Sequence, residues 1–454
     1  MDFEKLREFA DEHRFAVTYF LAVTTLLLYQ HSLGWSWDFS VYSMNGQYFF
    51  HQSVYAEWMR APIASFTMGL LQFVFPRRVS EYVFILMVST LFFYASYRAA
   101  EKLQVDFDKF YVVLMTPAAI LFATAVGTEM LSLAFVMLFF ADMDRTKSGF
   151  WIAGAFLTRY TMAAVIPLVL IQRKFKKIAL TLGVSAVPVI GWLGFNYLKT
   201  GDPFTSFANF LALNLVFRGL DTPIPFENFA LITLPASLLL AGYLRPELRE
   251  KFTLRSKESY FLLGLTAVIS LIYFKADPNP MRYLYPLIFP VAAFAVPVLE
   301  SLTERYGERP LYVLAVFNLI VGFAAILQMG MANPGGYERA VEEIDNQCMT
   351  ESNQWVYMSY AGVPTLPQTN RETTFDRLNR GYNTVYFGEF FENESKPDYL
   401  DMVGSGYPEI YTVDDVCEER QVADQTYLEE LREQGRTNIT PTEFMVGLAK
   451  GEYH

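Results

Sequence analysis

The sequence predicts a polytopic α-helical membrane protein with a small soluble α/β domain at its C-terminal end. Charged residues make up only 18% of the 454-residue chain and hydrophobic residues 53%, against roughly 25% charged in an ordinary soluble domain. The deficit is uneven: charge is sparse from Phe15 to Met331 and dense from Glu338 onward. Positive charge also recurs between the apolar runs in a pattern that fits one side of a membrane.

Crossing a hydrocarbon core of roughly 30 Å takes about 20 apolar residues in a helix. Spans are expected at about 15–33, 81–98, 110–126, 130–142, 178–198, 230–244, 258–275, 281–299 and 310–329. Two shorter helices, near 149–158 and 161–172, flank Arg159-Tyr160 and form a bent pair, which brings the expected total to about 11 helices. The apolar stretch Pro62 to Phe75 is short for a span and is flanked by Arg60 and Arg77-Arg78, so it is expected to lie at the interface. The N-terminus shows no cleavable signal pattern, and the first span is expected to serve as an anchor.

With the N-terminus cytoplasmic, the inside loops collect Lys5, Arg7, Arg14, Lys102, Lys109, the cluster Arg173-Lys174-Lys176-Lys177, and further lysines and arginines at 245–257 and 300–310. The outside then receives a loop over 34–80, the turn Gly127-Thr128-Glu129, a loop over 199–229, the turn at Asp277, and the tail. This divides the chain into a membrane part, 1–331, and an extracytoplasmic α/β domain, 332–454, in a multi-pass protein of the cell (plasma) membrane.

The formal net charge of −11 comes largely from that tail, and no basic patch for nucleic acid is present. Its two cysteines, Cys348 and Cys417, either pair or stay free thiols. The sequons at Asn393 and Asn438 fall in the same external region. The tail is expected to alternate: helix at 337–347, strand at 355–359, helix at 375–380, strands at 383–387 and 409–413, and helix at 427–434. It carries no phosphate loop, metal spacing or nucleophile elbow.

Ionisable groups at the edge of an apolar region are the informative ones in a membrane protein. On the external face stand Asp38, His51, Glu57 and Arg60 from the first loop, Glu129 from the second, Arg159 at the bent pair, and Asp277 and Arg282 before the tenth span. Acids able to take a hydroxyl proton, beside arginines able to grip a phosphate, suit a phosphate-linked substrate presented from the membrane. Each residue also has a plainer reading. Asp38 could cap a helix, Glu129 could end one, and Arg60, Arg77 and Arg78 could bind headgroups. His51 could be an interfacial residue, and Asp277 could pair with Arg282.

Trp37-Asp38-Phe39-Ser40-Val41-Tyr42, Tyr55 and Arg60-Ala61-Pro62 together resemble the first external loop of the GT-C glycosyltransferases, which use polyprenyl-phosphate sugars. That superfamily includes the protein O-mannosyltransferases and the aminoarabinose lipid A transferases. Gly127-Thr128-Glu129, Leu157-Thr158-Arg159-Tyr160-Thr161, Asn196-Tyr197 with Thr200-Gly201-Asp202-Pro203-Phe204, and Arg282-Tyr283-Leu284-Tyr285-Pro286 follow in the order and sidedness of later motifs.

The resemblance implies inverting transfer of a sugar from polyprenyl (dolichyl) phosphate to a glycan, lipid or protein acceptor on the outer face. Asp38 would be the general base, Glu129 would assist it, and Arg60, Arg159 and Arg282 would hold the donor phosphate. Tyr42, His51, Tyr55 and Glu57 would contact acceptor or sugar. Many relatives carry two adjacent acids where this chain has Asp38-Phe39, so no cofactor is expected to be required, and a divalent metal is the less favoured alternative. Other readings are a transporter or flippase of a lipid-linked sugar and a non-enzymatic membrane protein with a partner-binding ectodomain. Absent inverted repeats and mid-membrane charges weigh against transport.

Overall fold

The computed structural model describes residues 3–50, 53–125, 127–217, 226–244, 256–275, 281–344, 348–368, 371–387, 409–411, 423–428 and 439–450. His51, Asp277, Cys417, Asn393 and Asn438 lie outside them.

The molecule is a polytopic helical membrane protein. Among the described residues, Arg77–Leu103, Phe175–Thr200, Lys257–Phe274, Met281–Tyr306 and Arg309–Gln328 are long and apolar enough to cross a bilayer. Glu227–Thr233 and Ala236–Leu244, bent by 92° at their junction, would make a sixth span if counted together. Several of the other expected spans coincide with shorter or interrupted helices. The run 110–126 breaks at Thr116-Pro117, where Thr116 Oγ1 accepts from the Ala119 N–H at 3.1 Å and caps a new helix, Pro117–Phe122. The bent pair is the helix Ser148–Thr158 followed by a 3₁₀ helix, Tyr160–Gln172. Phe175–Thr200 leaves side chains such as Phe175 and Leu198 exposed, as suits a helix whose solvent is lipid.

The first loop is built from two helices and a strand. Trp37–Phe50 packs along Pro62–Leu71. A Cβ on Gly46 would stand 2.6 Å from Ser65 O, and one on Gly69 would stand 2.5 Å from Gly46 O, so the two backbones touch. At 10 residues, or about 15 Å, Pro62–Leu71 is too short to cross.

Among the described residues there are six strands: β1 (Tyr55–Glu57), β2 (Thr350–Ser352), β3 (Thr365–Pro367), β4 (Asn383–Tyr386), β5 (Glu409–Tyr411) and β6 (Ala423–Gln425). In the tail, β3-β2-β4-β5 form a sheet whose first three strands are parallel and whose last pair is antiparallel. Helices Pro334–Ile344, Trp355–Ala361 and Arg371–Asn379 complete the α/β unit. The strand expected at 355–359 is a correction: those residues are helical, and the strand lies just before them at β2. Val356, Met358 and Tyr360 are all buried and Tyr357 nearly so, so no polar stripe marks the helical period.

The tail shares its core with the first loop. Trp35, Val41, Met44 and Tyr55 pack with Tyr337, Tyr360, Tyr382 and Phe387. β6 adds in parallel to β1, and Trp35 and Ala332 exchange backbone hydrogen bonds of 2.9 and 3.0 Å. Cys348 is disulfide-bonded, and the only other cysteine in the sequence is Cys417.

Candidate active site

A cavity of about 520 Å³ opens where the first loop, the turn at Glu129, the break at Arg159, the start of the Met281–Tyr306 segment and the tail meet. Asp38, Glu57, Arg60, Glu129, Arg159 and Arg282 all line it, and Tyr42 does so as well.

Each charged side chain is delivered by a local feature of the chain. Asp38 sits in the first turn of Trp37–Phe50. Gly127 adopts φ 90°, a conformation that favours glycine, and the turn it makes presents Glu129 at the start of Glu129–Ala141. Arg159 is the extended residue, φ −148° and ψ 118°, between its two short helices. Glu57 ends β1, its peptide held from both sides by Asn45: Asn45 Nδ2 donates to Glu57 O and Glu57 N–H donates to Asn45 Oδ1, each at 2.9 Å.

The charges form linked ion pairs. Arg60 Nη1 lies 2.6 Å from Asp38 Oδ1, and Arg60 Nε donates to Glu57 Oε2 at 2.7 Å. Arg282 Nη1 donates to Asp38 Oδ2, and Arg159 Nη1 donates to Glu129 Oε1. Three carboxylates and three guanidiniums thus neutralise one another, as charges in a poorly solvated site must. The Tyr283 ring lies near both Arg159 and Arg282, 5.7 and 5.9 Å from their guanidinium carbons, and Arg60 lies 5.6 Å from the Tyr42 ring.

The two buried acids of the first loop respond oppositely. Burial alone would raise the pKa of Asp38, but Arg60 and Arg282 outweigh it and hold this carboxyl well below the usual range. For Glu57, burial wins over Arg60 and the pKa is raised.

The remaining expected contacts are distributed differently. Tyr55 is wholly buried behind the cavity, its hydroxyl accepting from Trp355 Nε1 at 3.2 Å. His51 and Asp277 lie outside the described residues. Arg78 lies 3.6 Å from the buried carboxylate of Glu81, and Arg77 stacks 4.0 Å over Tyr360 of the tail, so both arginines meet protein groups. Asp38 engages arginines through both carboxylate oxygens. Among the described residues no three His, Cys, Asp or Glu side chains converge as a metal site.

Sequence reasoning missed one wall and the roof. Phe210, Leu213 and Asn214 line the cavity from the helical segment after Thr205, and Trp355 and Tyr427 line it from the tail. The motif Gly201-Asp202-Pro203 pointed to the neighbourhood of the first group. Nothing in the tail's sequence pointed to the second.

The fold has structural counterparts. ArnT from Cupriavidus metallidurans, solved bound to undecaprenyl phosphate, superposes with a TM-score of 0.62 over 86% of this chain and 95% of its own, at 12% identity. This chain has the GT-C fold. The apo oligosaccharyltransferase of Archaeoglobus fulgidus matches with a TM-score of 0.52 at 10% identity, covering 79% of this chain and 65% of that one. No protein-family model and no curated protein sequence matches.

Proposed function

We propose that this protein is an inverting glycosyltransferase that moves a sugar from a polyprenyl (dolichyl) phosphate donor to an acceptor in this cavity. The observation that carries the reading is the convergence of Asp38, Glu57 and Glu129 with Arg60, Arg159 and Arg282 on one space. The GT-C fold and the undecaprenyl phosphate bound to ArnT favour a lipid phosphate as the anion.

In the reaction, Asp38 takes the proton of an acceptor hydroxyl or amide. The acceptor atom bonds to the anomeric carbon from the face opposite the phosphate. The bond from that carbon to the phosphate oxygen breaks, and its electron pair leaves with the polyprenyl phosphate, which gains a negative charge. Arg60, Arg159 and Arg282 therefore attract the departing group more strongly than the bound donor, which lowers the barrier. A removed donor of this kind typically costs about 3–4 kcal/mol.

The locked ion pairs explain how Asp38 could act as a base despite its low pKa. A donor phosphate that draws Arg282 or Arg60 away removes a cation from Asp38 and raises its basicity. Tyr42 and Glu57 would contact sugar or acceptor, Glu129 would orient Arg159, and no metal is required because each carboxylate is already paired with an arginine. The N-terminus faces the cytoplasm, and the cavity and tail face outward from the cell membrane.

The test is transfer of radiolabelled sugar from a panel of polyprenyl-phosphate donors by the purified protein, with and without a chelator. Absence of transfer across the panel, with the donor lipid bound, would favour a carrier of lipid-linked sugar.

A further inference from the structure

The break at Arg159 delivers a second side chain to the cavity. Tyr160 opens the 3₁₀ helix and lines the same space, its ring centroid 5.5 Å from that of Phe156 and 4.6 Å from that of Phe207. The Tyr160 hydroxyl lies 2.5 Å from Ser206 Oγ and accepts from Trp192 Nε1 at 2.9 Å. Both hydroxyl oxygens stand 3.4 Å from the backbone carbonyl oxygen of Arg60. Tyr160, Ser206 and Trp192 are all buried.

The protons of this group run one way. An indole N–H only donates and a carbonyl only accepts, whereas each hydroxyl brings one proton and can do both. If Tyr160 donates to Ser206, the Ser206 proton is left for Arg60 O. If Ser206 donates to Tyr160, the Tyr160 proton is left instead. Either way one O–H points at Arg60 O, and every proton in the group has an acceptor.

Arg60 needs such a hold. It lies in irregular chain between β1 and the helix Pro62–Leu71, its own N–H donating to Glu57 O at a long 3.5 Å. Buried backbone outside helices and strands takes side-chain partners. The partner here is the residue next to Arg159, so the peptide of one cavity arginine is tied to the chain that carries another. Trp192 braces the tie from Phe175–Thr200, a helix whose buried residues are Thr181, Trp192 and Asn196.

We propose that Tyr160 and Ser206 are positioning residues for glycosyl transfer: their hydroxyls clamp the Arg60 carbonyl and so fix the spacing of Arg60 and Arg159 across the donor-phosphate site. The catalytic consequence rests on the glycosyltransferase reading, whereas the clamp does not.

The experiment uses the full chain. Labelling arginine at its carbonyl carbon and alanine at nitrogen with the NMR-active isotopes gives one cross-peak for each Arg-Ala step, at 60–61, 98–99 and 339–340, and Ala61→Gly identifies the first. In Tyr160→Phe/Ser206→Ala the Arg60 carbonyl signal is expected to move upfield while the other two stay. Each single variant leaves one hydroxyl for Arg60 O and should lower kcat by about threefold or less. The double variant should lower it by about thirtyfold, beyond the product of the two, with the donor KM within about twofold of the parent. Adding Trp192→Phe removes the indole N–H left without its acceptor, so the melting temperature should recover while kcat stays low. An unmoved Arg60 signal overturns the clamp. A moved signal with parental kinetics, or a kcat that recovers together with the melting temperature, overturns the positioning role. A moved signal in a protein whose parent form transfers no sugar supports the clamp and overturns the glycosyltransferase reading instead. If the double variant fails to fold, Ser206→Ala decides alone, because every ring stays in place: its Arg60 signal moves or the clamp is overturned.

Discussion

Asp38 Oδ2 accepts a hydrogen bond from Arg282, 244 residues further along the chain. That contact ties the first loop to the segment opening the Met281–Tyr306 helix, and it leaves the proposed base gripped on both oxygens, since Arg60 takes the other. The site therefore rests in a self-neutralised state, which the proposed donor phosphate would have to reorganise.

Asp38→Asn separates the two roles of this carboxylate. The amide cannot accept the acceptor's proton, so kcat should fall by roughly 10²–10⁴. It also releases Arg60 and Arg282, so affinity for polyprenyl phosphate should hold or rise. Single-turnover transfer and lipid-phosphate binding by the same preparation check both halves, and a parental kcat would remove Asp38 as the base.

Arg282 should be more sensitive to loss of its geometry than to loss of its charge. Arg282→Lys keeps one cation but loses the planar fork that can serve Asp38 and a phosphate together. Transfer is expected to drop by about 10-fold for Arg282→Lys and by about 10²-fold or more for Arg282→Ala. Equal rates for Arg282→Lys and the parent would show that Arg282 acts as a point charge only.

The pH profile should be set on its acid side by Glu57 rather than by Asp38. Arg60 and Arg282 hold Asp38 ionised to well below the usual carboxylate range, while Glu57 titrates above its ordinary value. As pH falls through the raised pKa of Glu57, Arg60 loses one anchor and activity declines. The stability signs are opposite: Asp38 contributes stability above its unfolded pKa that is lost as pH falls, and ionising Glu57 costs stability as pH rises through its folded pKa. Glu57→Gln should lower the rate and flatten that acid limb. A limb that persists unchanged in Glu57→Gln would assign it to another group.

Much of the site was legible because charge at the border of an apolar run is scarce: Asp38, Arg60, Glu129, Arg159 and Arg282 stood out for that reason. Their pairing was not legible. Proximity in sequence pointed Arg282 toward Asp277, whereas the fold brings Asp38 to it. Trp355 and Tyr427 were hidden for the opposite reason, since an aromatic residue in a soluble tail carries no special signal. The spans suffered from local chemistry too: hydropathy runs straight through Thr116-Pro117, but a capping threonine and a proline stop the helix there.

The Gly46–Gly69 contact sets how closely the helix that carries Asp38 approaches the helix that follows Arg60. A methyl on Gly69 would stand 2.5 Å from Gly46 O, and one on Gly46 would stand 2.6 Å from Ser65 O, in both cases against backbone that cannot swing aside. Either alanine substitution should force the helices apart, at a cost of about 1–3 kcal/mol. Gly191 provides the control. It lies inside Phe175–Thr200, and a methyl added there would meet nothing within 4 Å, so Gly191→Ala should be neutral or stabilise by up to about 1 kcal/mol. Thermal unfolding in detergent checks the ordering. Transfer assays at a temperature where all three proteins stay folded check the consequence: Gly69→Ala should lower kcat while Gly191→Ala does not, because only the former displaces Arg60 relative to Asp38.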